Sequence, residues 1–81
     1  MKLLEIKKKA EWVEFNHDTD FINIEYIVTI NEYRTSGGGG TNRCSKIRVK
    51  GAQDTWIQDV RPPEELVHEI LIQNGYTLTK P

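Results

Sequence analysis

A single cysteine, Cys44, is all the thiol chemistry the chain carries, so no disulfide can form within one molecule. Proline is nearly as scarce, with three residues, two of them adjacent at Pro62-Pro63. Long apolar runs are missing. The opening stretch MKLLEIKKK holds no more than two apolar residues in succession, whereas a signal peptide needs about 7–15 and a membrane-spanning helix about 20. A free thiol without an export signal leads us to expect a soluble, cytoplasmic protein with no membrane association. Paired metal ligands are also lacking, because one cysteine and two separated histidines, His17 and His68, make no zinc motif. We therefore expect no structural metal and no cofactor.

A large excess of one charge is absent as well. The formal net charge is −1, which argues against wholesale nucleic-acid binding. The charge is unevenly spread, however: +3 over residues 1–10, −6 over 11–32, +5 with no acid over 33–50, and −3 over 51–81. Such blocks either pair across a sheet or leave one face basic and another acidic.

What is present fits one small folded domain spanning residues 1–81. Apolar residues at 37% against charged at 28% describe a chain with enough apolar side chains to fold. A chain of this length buries only about 60% of its unfolded surface, and homo-oligomerisation is a usual remedy for so small a core.

Residues 3–15, LLEIKKKAEWVEF, have strand-like content but switch phase. Leu4, Ile6 and Trp12 share one parity and Val13 and Phe15 the other, which requires a bulge or break near Lys8–Ala10. Asn16-His17-Asp18-Thr19-Asp20 is a polar turn by composition. Residues 21–34, FINIEYIVTINEYR, place Ile22, Ile24, Tyr26, Val28 and Ile30 at every second position, the pattern of a long strand with one buried face. After Thr35-Ser36 and the run Gly37–Gly40, a second strand over residues 42–50 completes a hairpin.

Burial selects the hairpin register. Pairing Ile30 with Ile47 and Val28 with Val49 gathers the apolar residues on one side, whereas a slip by one would bury Lys46 and Arg48. This register puts Tyr33, Thr29, Asn31, Cys44, Lys46, Arg48 and Lys50 on the open face, with Arg34 facing Arg43 at the base of the loop. Gly51 and Asp54 mark a turn, and residues 55–60 read as a further strand. Pro62, Pro63, Glu64 and Glu65 start a helix over about 62–74, since proline is tolerated in the first turn and acids favour the positive helix end. Leu66, Val67, Ile70 and Leu71 form its apolar stripe, and Gly75 with Tyr76 would close it as a Schellman cap. Residues 77–81 read as a short edge strand or a frayed tail. The predicted fold is α+β, a three- or four-stranded antiparallel sheet with one C-terminal helix packed on one face.

The glycine run lies in a hairpin rather than before a helix, lacks a P-loop lysine and is not GxGxxG, so a phosphate cradle is disfavoured. It reads better as a flexible tip, or as an engineered connector in place of a longer native loop across 35–41. His17, Asp18 and Asp20 supply too few convergent ligands for a metal site. Cys44 has cations nearby but no histidine beside it in sequence to act as a base, and no serine or threonine sits in a nucleophile elbow. No catalytic residue is expected, and the protein is read as non-enzymatic.

The binding candidates are Tyr33, Arg34, Arg43, Lys46, Arg48, Lys50 and Trp56. Positive charge interleaved with aromatic rings on an exposed sheet suits a charged protein partner. It equally describes a nucleic-acid module using Arg43, Lys46, Arg48 and Lys50, although no aromatic RNP-type motif is present. The near-zero net charge favours a protein partner, or a merely solvated strand face partly neutralised by Glu25, Glu32 or the acidic helix, over nucleic acid. Small α+β chains of this size serve as regulators or inhibitors of phage or mobile-element type, an association of size rather than of chemistry.

Overall fold

The computed structural model describes residues 2–37, 40–52 and 55–74. Its strands are β1 (Leu3–Glu5), β2 (Lys9–Ala10), β3 (Val13–Glu14), β4 (Phe21–Asn23), β5 (Ile27–Gly37), β6 (Gly40–Val49) and β7 (Ile57–Asp59), followed by one helix, α1 (Pro63–Gln73). The main sheet is antiparallel in the order β5-β6-β7, and β1 with β4 and β2 with β3 form two smaller antiparallel ladders. The α+β class, the antiparallel sheet and the single helix near the C-terminus are as the sequence predicts.

Apolar side chains at alternate strand positions meet one stripe of the helix. Leu4, Ile6, Ile22, Ile47, Ile57 and Leu66 form the core, with Ile24, Ile27, Ile30, Val49 and Ile70 packed against it. In the helix Leu66 is fully buried, while Val67, expected in the same stripe, is 43% exposed. A helix of three turns resting on a narrow sheet has room for only one fully covered row.

Of the two alternatives for the phase change in residues 3–15, the structure shows the break: β1 ends at Glu5, and Lys9 pairs with Glu14 and Ala10 with Val13 across a turn at Glu11-Trp12. Two expectations need correction. The strand expected over residues 21–34 is broken by a 3-10 turn over Ile24–Tyr26, capped by the Asn23 side chain, which accepts a hydrogen bond from the Glu25 amide at 3.0 Å. That turn lets Phe21–Asn23 pair with β1 while Ile27 begins β5. The expected pairing of Val28 with Val49 gives way to Ile27 with Val49, because a bulge lies between Ile27 and Thr29. Ile27 takes the core position, and Val28 and Tyr26 are each 55% exposed.

The rest of the hairpin register is as predicted, with Ile30 opposite Ile47 and Arg34 opposite Arg43. The ladder runs to Gly37 opposite Gly40. Gly51 turns the chain at a φ of 81°, a left-handed conformation that glycine adopts without strain. Asp54, the Gly75–Tyr76 cap and the 77–81 tail lie outside the described residues, and α1 ends at Gln73 with Asn74 as its cap.

Candidate functional site

Because side chains alternate along a strand, the register sorts the charges of β6 onto two faces. Arg43, Ser45 and Ile47 point to the helix side; Cys44, Lys46 and Arg48 point to the open side. The two faces meet different fates.

On the helix side the cations are neutralised. The guanidinium of Arg43 donates to both Glu64 carboxylate oxygens, at 2.6 and 2.9 Å, and its Nε donates to Glu32. Arg34 donates to the other Glu32 oxygen at 2.8 Å. The Glu64 and Glu32 carboxylates raise the Arg43 guanidinium further above its ordinary value. In return Arg34, then Arg43, holds the Glu32 carboxyl below the usual carboxylate range, and Arg43 does the same for Glu64. Arg34 and Arg43, two of the expected binding residues, thus tie the hairpin to itself and to α1.

On the open side the cations meet rings instead of acids. The Lys46 Nζ stands 4.5 Å from the centroid of Tyr33 and 5.4 Å from that of Trp56, and the Arg48 guanidinium carbon stands 4.4 Å from the Trp56 centroid. The face reads Tyr33, Lys46, Trp56, Arg48, a ladder of alternating rings and cations. Among the described residues no carboxylate pairs with Lys46, Arg48 or Lys50. The Nε of Arg48 and the Oγ1 of the facing Thr29 are buried without a hydrogen-bond partner among those residues. Lys50 lies one residue past β6, with its amide donating to the Tyr26 carbonyl, and does not join the ladder.

Phe15 completes the site, and the sequence reading missed it. Its ring lies 6.4 Å from that of Tyr33 at a tilt of 52°, and it is buried. The signal was available as an aromatic on the unpaired phase of residues 3–15, but nothing local said where that phase would land. The segment behind it is anchored to the sheet. His17 Nε2 lies 2.8 Å from the Gln58 carbonyl, and its Nδ1 accepts from the Thr19 amide, which makes Nε2 the protonated nitrogen. Lys8 donates to Asp20 and holds that carboxyl below its ordinary range.

Neither cysteine nor acid chemistry gathers here. Cys44 is fully buried, donates to the Tyr33 carbonyl at 3.2 Å, and has its thiol pushed up by burial, the reverse of what activates a nucleophile. Among the described residues no three His, Cys, Asp or Glu side chains converge as metal ligands, and no helix is long and apolar enough to cross a membrane. Comparison of the chain with protein-family models, with curated proteins and with solved structures finds no match to any of them.

Proposed function

We propose that the protein is a small non-enzymatic interaction module whose open sheet face takes an acidic segment of a protein partner, in the manner of a regulator or inhibitor. One observation carries the reading: Lys46 and Arg48 share a face with Tyr33 and Trp56, while the acids nearest the hairpin, Glu32 and Glu64, are spent on the opposite face. Carboxylates arriving at this face would supply the acceptors that the two cations lack. Arg48, its guanidinium carbon 4.4 Å from the Trp56 centroid, is the residue type that grips a carboxylate through two bonds.

The same cations on alternate residues of one strand favour a second reading, a single-stranded nucleic acid laid along β6. That reading needs ring faces free to stack on bases. Here Lys46 and Arg48 already stand over one face of Tyr33 and of Trp56, which leaves fewer ring faces for bases and is why the protein partner is preferred.

The test is binding of a fluorescently labelled oligoglutamate peptide and of an oligothymidylate, each followed by anisotropy across a salt series. The wild-type chain should bind the peptide. Lys46→Glu with Arg48→Glu should abolish that binding, and Lys9→Glu, exposed on β2, should leave it within about twofold. Tighter binding of the oligonucleotide, weakening steeply with salt, would transfer the site to the second reading.

A further inference from the structure

The two edges of the main sheet are treated differently. Outside β7 the Val60 amide donates to the Lys7 carbonyl at 2.9 Å, and the Lys7 amide donates to the Asp59 carboxylate, so the N-terminal segment closes that side. On the other side, among the described residues, β5 has β6 as its one neighbour. Among the described residues no further backbone hydrogen bond reaches β5 between residues 29 and 37. At 11 residues it is the longest strand, and it holds neither proline nor lysine. A long edge of unpaired amides and carbonyls, without those safeguards, is a template for another strand.

The side chains of this edge are complementary to themselves. A two-fold axis perpendicular to a sheet can pair β5 antiparallel with its own copy only if the axis passes through a residue, since facing side chains must share a side. Centring on Glu32 sets carboxylate against carboxylate, and centring on Arg34 sets guanidinium against guanidinium. Centring on Tyr33 sets Glu32 of each copy opposite Arg34 of the other, twice. Arg34 is 63% exposed along its side chain, and it shares Glu32 with Arg43, the residue directly across from it, so a second carboxylate relieves a crowded pair of cations.

A separate observation selects the same register. The Oγ1 of Thr35 is buried without a hydrogen-bond partner among the described residues. Centring on Tyr33 brings the exposed Asn31 of the second copy directly opposite it, within the reach of cross-strand neighbours. The third strand β7 pairs only with Ser45–Ile47, short of the Tyr33–Cys44 pair, so the β7 strands of the two copies lie toward opposite ends of the shared ladder.

We propose that the protein self-associates as a symmetric dimer through antiparallel pairing of β5 with β5 about Tyr33. The result is a continuous six-stranded sheet whose open face carries two sets of Tyr33, Lys46, Trp56 and Arg48. This pairing does not depend on what the open face binds. The contact is short, so affinity in the micromolar range is expected.

Light scattering on the full chain at about 100 µM, well above a micromolar dissociation constant, should give twice the monomer mass. Arg34→Glu should return it to the monomer while circular dichroism remains that of a folded chain. The register is read by cysteines on the helix side, away from buried Cys44. Glu32→Cys and Arg34→Cys proteins, mixed under mild oxidation, should cross-link to each other and neither to itself, because equal positions are offset by about 6.6 Å along the strands. A wild-type monomer at that concentration overturns the proposal, as does self-cross-linking of either single variant.

Discussion

At the scale of single residues, Asp59 joins parts of the chain that lie far apart in sequence. Its carboxylate is fully buried and accepts from the Lys7 amide, the Arg61 amide and the Arg61 guanidinium, at 2.7–3.0 Å. Arg61 also donates to the Glu5 carbonyl, so the pair fixes the N-terminal segment, β7 and the entry to α1 at one point. Removing one member of a buried ion pair strands the other and typically costs about 3–5 kcal/mol. Asp59→Ala should therefore lower the unfolding free energy by about 3 kcal/mol or more, read from urea denaturation. A loss below about 1 kcal/mol would mean that Arg61 finds water instead. None of this was legible beforehand. The sequence places Asp59 in a short strand over residues 55–60 and assigns it no partner, because Lys7 is 52 positions away and offers a backbone amide, which every residue has.

At the scale of elements, the hairpin and helix are held together by charge as well as by the Ile47–Leu66 core. Glu32 and Glu64 have folded-state values below their ordinary 4.5, Glu32 chiefly through Arg34 and Glu64 chiefly through Arg43. A depressed carboxyl stabilises the fold above its unfolded value, and that contribution is lost as pH falls through the lower folded value. The thermal midpoint of the wild type should thus decline below about pH 4.5, and the decline should be shallower in Glu64→Gln; equal slopes would contradict the helix–hairpin linkage. The elements divide sharply in how far sequence revealed them. The Ile30–Ile47 register was legible because a slip would bury lysine and arginine, and the helix start because two prolines and two glutamates agree. The 3-10 turn was not legible. Residues 21–30 alternate as one strand would, and the break is imposed by β4 having to reach β1, a tertiary demand that overrides local pattern.

At the scale of the whole molecule, the alternating blocks of sequence charge become two faces rather than one neutralised surface. The register that buries Ile30 and Ile47 necessarily sends Lys46 and Arg48 to the open side, so the core and the candidate site follow from the same alternation. The sequence reading grouped Tyr33, Lys46, Arg48 and Trp56, but it also included Lys50, which lies past the end of β6, and Arg34 and Arg43, whose parity puts them on the face of the acids. Parity alone could have separated those two groups; the helix position that supplies Glu64 could not have been known. The most direct measurement is a nitrogen-15 NMR titration of the folded chain with the oligoglutamate peptide. Our account predicts shifts at the amides of Lys46 and Arg48 and at the Trp56 indole, with Leu66 and Glu64 unmoved. Shifts confined to the helix side, or none on the open face at saturating peptide, would contradict it.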